Sequence, residues 1–273
     1  MKKQTVSIIL CVFNKEFLIK KVIDSIIENK SNNTKELIIV FDGCTDKSEE
    51  IAIEALKNVK DINIIIEHAP NVFETKANNI ALKLSTCNYS MIIQDDMLIQ
   101  EKDFDARMLK PFMFKDTFTV TSRLAHNDYI NKIGNLTWGE FAGYDPYNLT
   151  INPSYRNIFT IRDICNRGPL LVDNEKIQKL NYFDEIFYPQ QYDEHDICFR
   201  AWKLYNWVSG SFWIKWYSKE EWGGSRQEVY TENNHDKYEW LETCGAKNKE
   251  IIKKRYTDLL LHDNKHNEER LII

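Results

Sequence analysis

The chain has 273 residues, of which 43% are hydrophobic and 28% charged, and its formal net charge at pH 7 is -5. A chain of this length can bury a substantial core as one large α/β domain or two modest ones, and the negative charge, with no basic block in either half, argues against nucleic acid as the main partner. No apolar run reaches the roughly 20 residues of a membrane span, and the six cysteines include no CxxC pair, so we expect a cytoplasmic protein with reduced thiols that contacts a membrane at most peripherally.

The first part of the chain alternates between strand-like and helix-like patterns. Apolar runs predict four strands, and stretches with apolar residues at helical spacing lie between them. The predicted strands are residues 6–12, 37–41, 62–67 and 89–93, and the predicted helices are residues 16–28, 46–58 and 75–84, with Thr45 or Asp46 as the cap of the second helix. This alternation predicts a mostly parallel sheet with right-handed crossovers and helices on its faces.

The pattern is looser after residue 98. A further strand is predicted at 118–123, and the glycine- and proline-containing stretch 125–165 is expected to be an irregular region over the open edge of a site. An apolar run at 168–172 and helices at 174–180 and 196–204 follow. The tail from about residue 227 is polar, and residues 247–261 predict a basic amphipathic helix. Its basic face is either solvated or in contact with an anionic membrane.

Three of the predicted strands end in residues that could bind a ligand. The first ends at Phe13 and Asn14, the second at Asp42, and the fourth at Asp95 and Asp96. Ligands of open α/β sheets collect at the carboxyl ends of the strands, so these side chains are expected to converge on one crevice. Two adjacent carboxylates repel each other unless a cation is present, and a divalent metal with a phosphate-rich ligand would neutralise them. A plain surface turn is the alternative, because Asp is common in turns.

The sequence contains neither a Walker A loop nor a GxGxxG fingerprint, so the usual phosphate-binding loops do not explain this crevice. An aromatic ring can stack on a nucleobase, and a carboxylate can accept from a base N–H or a ribose hydroxyl. With a metal at the neighbouring carboxylates, the best physical fit is a nucleotide diphosphate bound through that metal.

Five segments, in order, resemble family 2 glycosyltransferases of the GT-A fold. The family pattern VSVVIPxYN is similar to Val6–Asn14 (VSIILCVFN), and the pattern EIIVVDDGSTD is similar to Glu36–Asp46 (ELIIVFDGCTD). Asn71 with Ala77–Asn79 resembles the pattern NxGxxxARN, and Gln94–Asp96 takes the place of the DxD metal motif. Asn166–Val172 resembles the segment that faces the acceptor, and Asp193–Arg200 (DEHDICFR) resembles the pattern EDxDLxxR, which supplies the catalytic base. Each segment is weak alone, but their order and spacing over roughly residues 5–225 are specific.

The resemblance implies an α/β protein with the GT-A fold, in which a Rossmann-like, mostly parallel central sheet is flanked by helices. Residues 1–226 would form the glycosyltransferase domain, with 1–98 binding the nucleotide sugar and 99–226 the acceptor, and residues 227–273 would form a C-terminal helical extension. The implied activity is a metal-dependent, inverting glycosyl transfer of the hexosyltransferase type. A UDP-sugar would be the donor, a carbohydrate or glycolipid hydroxyl the acceptor, Mn²⁺ or Mg²⁺ the cofactor, and glycan or polysaccharide synthesis the setting.

The resemblance also implies roles for matching positions. The nucleotide would contact Cys11, Phe13, Asn14, Asp42, Lys76, Asn79 and Asp95, with Lys76 near the phosphates and Asp95 near the ribose or the metal. Asp96 would be the principal metal ligand. Glu194 occupies the position of the catalytic base, with Asp193 as its near rival. Asp196 is expected to be structural, fixing Arg200 or the start of a helix.

Three departures from the family pattern bear on these roles. Phe41 replaces the first acid of DDGS, Gln94 replaces the first acid of DxD, and the segment from Trp222 to Ser225, a turn or a loop that closes over the donor, lacks a nearby metal-binding His. The metal would then rest on few protein groups. A catalytically weak or inactive relative that binds sugar nucleotides or glycans is therefore the alternative. A nucleotidyltransferase is the other enzyme class, but the first strand is not followed by the Gly-rich, basic loop that it needs.

Overall fold

A computed structural model of the chain describes residues 4–144, 156–223, 235–261 and 266–272, except for the side chains of residue 220 and of residues 235–238. Gly224 and Ser225, in the segment predicted to be a turn or a donor-covering loop, lie outside the described residues, as do residues 227–234 at the start of the predicted extension. Among the described residues, no helix has the length and apolar character needed to cross a membrane. All six cysteines are free thiols.

The first part of the chain forms the predicted alternation of strands and helices. It runs through β1 (Val6–Val12), α1 (Ile19–Asn29), β2 (Thr34–Asp42), α2 (Ser48–Leu56), β3 (Asn63–Ala69), α3 (Phe73–Leu84) and β4 (Tyr89–Gln94). β1 pairs in parallel with β2 and β4, and β2 in parallel with β3. Because β1, β2 and β4 run side by side in one direction, their carboxyl ends share one edge of the sheet.

The predicted cap of α2 is wrong. The residue before the helix is Lys47, which makes no side-chain cap. Asp46 instead accepts hydrogen bonds from the backbone N–H of Ser48 at 3.0 Å and of Glu16 at 2.9 Å. The carboxylate therefore ties the loop after β1 to the start of α2.

The rest of the chain extends the sheet beyond β4 and adds smaller elements. The further strands are β5 (Leu98–Ile99), β6 (Thr117–Thr121), β7 (Leu124–Ile130), β8 (Leu136–Gly143), β9 (Ile158–Arg162), β10 (Ile164–Cys165), β11 (Leu170–Asp173), β12 (Val208–Ser211), β13 (Trp216–Tyr217) and β14 (Glu268–Leu271); the further helices are α4 (Phe104–Met108), α5 (Asn174–Lys179), α6 (Asp193–Tyr205), α7 (His235–Arg255) and α8 (Thr257–Leu260), with 3-10 turns at Lys110–Met113, Glu185–Phe187 and Glu220–Trp222. The central sheet has the order β14-β9-β12-β6-β11-β4-β1-β2-β3. β11 is antiparallel to both of its neighbours, so the sheet is mixed at this point.

The irregular region predicted for residues 125–165 is wrong for its described part. β7, β8 and β10 form a separate three-stranded sheet, and β9 joins the central sheet between β12 and β14. These strands form by pairing with segments that are distant in the sequence, and such pairing leaves no signal in the local sequence pattern. The glycines that suggested a loop lie at the turn between β7 and β8 and within β8.

The C-terminal segment is not only helical. α7 and α8 pack against the domain, and β14 pairs antiparallel with β9 at the edge of the central sheet. Asn248 on α7 is buried, and its side-chain amide donates to the carbonyls of Phe187, Gln190 and Gln191 at 2.9, 3.1 and 3.2 Å. α7 thereby fixes the loop that leads into α6.

Candidate active site

A cavity of about 520 Å³ opens at the carboxyl ends of β1, β2 and β4. Its walls include six residues that the sequence predicted for the site: Cys11, Phe13, Asp42, Asp95, Asp96 and Glu194. The volume is within the roughly 300–1,000 Å³ of ligand pockets. The strand ends and the start of α6 are therefore brought to one space, although about a hundred residues separate them in the chain.

Asp42 joins the end of β2 to the start of α3. Its two carboxylate oxygens accept from the backbone N–H groups of Val72 at 2.5 Å and Phe73 at 2.7 Å, and burial raises the pKa of Asp42. Gly43 has φ +71°, and a Cβ there would lie 2.8 Å from the backbone nitrogen of Asn71. This close approach requires glycine, so the predicted nucleotide end of the cavity has a fixed backbone.

The Cys11 thiol lies beside this end and points to α3. Its Sγ donates to Asn78 Oδ1 at 3.4 Å. Burial, with the charges of Glu74, Asp42 and Asp95, raises the pKa of the thiol well above its ordinary value. Cys11 is therefore a neutral wall residue and no nucleophile at neutral pH.

Asp95 is held by groups from the end of β1. Its Oδ2 accepts from the backbone N–H of Phe13 at 3.0 Å, and Lys15 Nζ lies 3.8 Å from its Oδ1. Lys15 is fully buried and also donates to the carbonyl of Trp222. Burial raises the pKa of Asp95 to about 7, with Asp96 adding to the effect and Lys15 opposing it. Asp95 thus orders the loop that follows β1 at the cavity wall.

Asp96 is the carboxylate best suited to a cation. It is buried, with 7% of its surface exposed, and it lines the cavity. Over the described residues, no group of three or more His, Cys, Asp or Glu side chains is arranged to hold a metal. The donor set fits a hard divalent ion that takes one or two carboxylates from the protein and the rest of its ligands from phosphates.

Gln94, at the position of the missing acid, bridges two other residues of the cavity wall. Its amide nitrogen donates to Glu74 Oε1 at 3.0 Å, and its amide oxygen accepts from Arg123 at 3.4 Å. Gly168 has φ +79° and lies so close to Gln94 that a Cβ at residue 168 would be 2.6 Å from Gln94 Oε1. Gln94 thus contributes to the wall through hydrogen bonds.

A buried ionic network stands at the start of α6. Arg167 donates to both oxygens of Asp193 at 2.8 and 2.5 Å and to Glu194 at 3.1 Å, and it lies 3.3 Å from Glu74. The exposed fractions of the side chains are 3% for Arg167, 0% for Asp193 and 13% for Glu194. One guanidinium therefore offsets three carboxylates.

The two acids of this network have opposite protonation behaviour. Burial opposes ionisation of Asp193, but the contact with Arg167 outweighs it and lowers its pKa. Burial, reinforced by Asp193 and opposed by Arg167, raises the pKa of Glu194 to about 8. Of the two predicted bases, Glu194 lines the cavity and binds a proton more strongly.

A second polar cluster adjoins Glu194. His195 Nδ1 lies 2.7 Å from Asp128 Oδ2, and His126 Nδ1 lies 3.0 Å from Asp128 Oδ1. Trp138, on β8, has its ring centroid 5.5 Å from that of His126 and 6.2 Å from that of His195. His195 and Trp138 both line the cavity, so α6 and β8 each contribute to its wall.

The sequence comparison with family models decides the family. The model described as Glycosyl transferase family 2 matches residues 7–168, more than half of the chain. The chain belongs to glycosyl transferase family 2. No curated protein sequence matches it significantly.

Solved structures of low sequence identity have the same fold as this family 2 glycosyltransferase. TarS of S. aureus in complex with UDP has a TM-score of 0.55 at 13% identity over 79% of this chain and 60% of that chain. The mannosyltransferase PcManGT from Pyrobaculum calidifontis, with GDP-Man and Mn²⁺, has a TM-score of 0.58 at 15% identity over 78% and 55% of the two chains. GalNAc-T7 with UDP, GalNAc and Mn²⁺ has a TM-score of 0.58 at 11% identity over 82% and 46%.

These similarities confirm the predicted GT-A fold. The chain spans three fifths of the length of TarS 1-349, or less for the other two proteins. Family membership is shown by the match over residues 7–168, whereas the activity, the donor, the metal and the stereochemistry are proposed under the next heading.

Four predicted site residues do not line the cavity: Asp193, whose carboxylate is bound by Arg167, and Asn14, Lys76 and Asn79. Asn14 Oδ1 accepts from the Thr45 N–H at 2.8 Å, at the loop after β2. Lys76 Nζ lies 4.6 Å from the centroid of the Tyr188 ring. Asn79 is buried, and its side chain exchanges hydrogen bonds with the backbone of Phe183 at 2.9 and 3.1 Å. Asn79 is thus committed to holding α3 against the segment before α6.

The structural role predicted for Asp196 is confirmed. Asp196 is fully buried, and Arg200 Nε donates to its Oδ2 at 2.6 Å. Arg255 and the Tyr256 hydroxyl each donate to Oδ1 at 2.6 Å. Asp196 therefore anchors the C-terminal segment to α6.

Sequence reasoning did not assign roles to Lys15, Glu74, Arg167 or the Asp128–His195 pair. Arg167 and His195 lie inside segments that the motifs had identified, and Lys15 directly follows one. A charged residue next to a buried motif is the signal that could have pointed to them, since such charges are buried only when paired. Asp128 lies in the stretch that was expected to be irregular, so no local signal pointed to it.

Proposed function

We propose that this family 2 glycosyltransferase is metal-dependent and inverting, and that it moves a sugar from a UDP-sugar to a hydroxyl of a carbohydrate or glycolipid acceptor. One observation carries the proposal: a strand-end carboxylate, Asp96, and a buried glutamate of raised pKa, Glu194, line the same cavity. The first suits a diphosphate held through a metal, and the second suits a hydroxyl that must lose its proton.

The donor end is proposed to be the part of the cavity at β1 and β2. Phe13 offers a ring for a base, and the fixed backbone at Asp42 and Gly43 limits the space around it. TarS was solved with UDP and with UDP-GlcNAc, GalNAc-T7 with UDP, and PcManGT with GDP-Man. UDP is therefore the first nucleotide to test, and GDP is the second.

Asp96, assisted by Asp95, is proposed to hold Mn²⁺ or Mg²⁺. When bound, such an ion offsets the negative charge that develops on the diphosphate leaving group. Asp96 is proposed as the principal ligand because it is a buried carboxylate that follows β4 and lines the cavity, and Asp95, which accepts from the Phe13 N–H and lies near Lys15, is proposed to assist it. PcManGT and GalNAc-T7 were both solved with Mn²⁺.

Glu194 is proposed as the base. It takes the proton of the acceptor hydroxyl while that oxygen forms a bond to the anomeric carbon and the bond from this carbon to the diphosphate oxygen breaks. Attack opposite the leaving group inverts the anomeric configuration. Asp193 is the weaker candidate, because both of its oxygens accept from Arg167 and its pKa is lowered.

Release of UDP or GDP from a panel of UDP- and GDP-sugars, with Mn²⁺, Mg²⁺ or EDTA, tests this proposal. We expect release only with a divalent ion, loss of release in Asp96→Asn and Glu194→Gln, and full activity in Glu50→Gln, a matched control at an exposed position on α2. Proton NMR of the product should show the anomeric configuration opposite to that of the donor. Retention of configuration would contradict the mechanism, and nucleotide binding without transfer or hydrolysis would favour a binding protein.

A further inference from the structure

Trp138 is a large apolar side chain left exposed at the wall of the cavity. It lies on β8, the edge strand of the three-stranded sheet, and 48% of its surface is exposed. Core packing accounts for buried tryptophans such as Trp216, which is 3% exposed. It does not account for Trp138, whose ring borders an open space of ligand size.

The imidazole of His195 is held in one orientation beside this ring. Asp128 is fully buried, and the neighbouring His195 and His126 keep its pKa well below the ordinary range despite that burial. The ionised carboxylate requires the proton of His195 to lie on Nδ1, at 2.7 Å. The other ring nitrogen, Nε2, is then the one available for a ligand in the cavity.

Trp138 and His195 together determine which kind of ligand could bind at this part of the cavity. A tryptophan face attracts a ligand with an apolar face, and a fixed imidazole nitrogen recognises a hydroxyl. The guanidinium of Arg167 is already paired with Asp193 at 2.5 Å and lies 3.1 Å from Glu194, so its charge gives little attraction to an anionic ligand on this side of the cavity. A pyranose ring has an apolar C–H face, a hydroxyl edge and no charge.

The position in the fold indicates which substrate binds there. Phe13 and Asp42 lie at the ends of β1 and β2 of the central sheet, whereas Trp138 lies on β8 of the separate three-stranded sheet and His195 lies at the start of α6. His195 directly follows Glu194 in the chain. Since the centroid of the Trp138 ring lies 6.2 Å from that of the His195 ring, a group bound at Trp138 is near the proposed base.

We propose that Trp138 and His195 form an acceptor subsite for a neutral pyranose ring, with the ring packed on the indole and a hydroxyl bonded to His195. The assignment deepens the proposed function and rests on it. Asp128 is a positioning residue, since it acts through His195. The acceptor of this enzyme is accordingly a glycan or a glycoside that ends in a pyranose.

Saturation-transfer NMR on the full chain tests the subsite, with methyl β-D-glucopyranoside, methyl β-D-galactopyranoside and glycerol as probes. Glycerol carries hydroxyls but has no ring face. We expect transfer to ring protons of at least one pyranoside and none to glycerol. Trp138→Ala should weaken binding roughly tenfold, Trp138→Phe should stay within about threefold, and Phe141→Ala, a half-exposed ring on the same strand outside the cavity wall, should bind as wild type.

A thermal shift with UDP and Mn²⁺ runs beside each variant and separates the two proposals. Equal UDP stabilisation in wild type and in both Trp138 variants shows a folded protein with an intact donor site. Pyranoside affinity that is unchanged in Trp138→Ala, or glycerol binding as strong as pyranoside binding, would overturn the subsite. No UDP or GDP stabilisation in the wild type would instead contradict the proposed donor, and the pyranoside result would still decide the subsite.

Discussion

Replacement of Arg167 should show how much one guanidinium at the candidate active site contributes to the stability of the fold. The variant Arg167→Met keeps much of the side-chain length and removes the charge. It leaves Asp193, Glu194 and Glu74 facing one another, and Arg167 is the cation within 3.3 Å of all three in the described structure. The consequence is both a loss of stability and a change in its pH dependence.

The magnitude follows from burial. Breaking a buried ion pair by removing one partner costs about 3–5 kcal/mol, because a charge is left without compensation. Without Arg167, the pKa of Asp193 is no longer lowered and rises in the folded state, and the pKa of Glu194 rises further. Carboxylates with raised folded pKa values favour folding at low pH and lose that contribution as pH rises. The destabilisation should therefore be larger at about pH 8 than at about pH 5.

Urea denaturation at these two pH values measures the effect. Arg270→Met is the matched control, because Arg270 pairs with Asp116 and Glu268, which are 40% and 55% exposed, and its loss should cost about 1 kcal/mol or less. A cost for Arg167→Met that is no larger than the control and does not change with pH would refute the reasoning. Restoration of stability in Arg167→Met/Asp193→Asn would support it.

Three further predictions concern residues around the same cavity. Lys15→Met should lower the melting temperature and weaken UDP binding roughly tenfold by calorimetry. The reason is that the buried ammonium contacts both Asp95 and the Trp222 carbonyl. Equal losses in the control Lys20→Met, at an exposed position, would count against this role of Lys15. Asn248→Ala should cost about 1–3 kcal/mol in urea denaturation, because three carbonyls lose a buried donor, and an unchanged midpoint would be inconsistent with that role. The kcat/KM of the wild type should rise with pH to a plateau above a pKa of about 8, as Glu194 loses its proton, and a flat profile would exclude Glu194 as the base.

The parallel half of the fold could be predicted from the sequence because local signals agree there. β1, β2 and β4 are apolar runs that are buried, and the helices between them carry apolar residues at helical spacing. Their ends placed Phe13, Asp42 and Asp96 at one edge, as the structure has them. Turn and helix boundaries shifted by a few residues, which local patterns do not fix.

Most of the remaining strands could not be predicted because their pairing is made over long distances, whereas β6 was predicted at residues 118–123. β14 has the sequence EERL, whose charges give no strand signal, and it forms only through its hydrogen bonds to β9. β8 contains Gly139 and Gly143, which indicated a loop. The short β10 pairs with β7 through two residues. Each depends on a partner strand that lies elsewhere in the chain.

The acidic residues of the candidate site could be predicted from the sequence, but the basic residues that pair with them could not. Asp96 and Glu194 stood out as motif positions, but Lys15 and Arg167 are buried only because tertiary structure supplies carboxylates from distant segments. Asn79 shows the reverse case, since a motif position serves to hold α3 in place. Local sequence identifies which groups are chemically capable, and packing decides which of them reach the cavity.

Calorimetry of UDP binding, combined with transfer assays, is the most direct test of the separate roles proposed for Asp96 and Glu194. We predict that Asp96→Asn loses the Mn²⁺-dependent part of UDP affinity, whereas Glu194→Gln binds UDP as the wild type does and loses roughly 10²–10⁴-fold in transfer rate. Wild-type metal-dependent UDP binding in Asp96→Asn, or undiminished transfer in Glu194→Gln, would contradict the account.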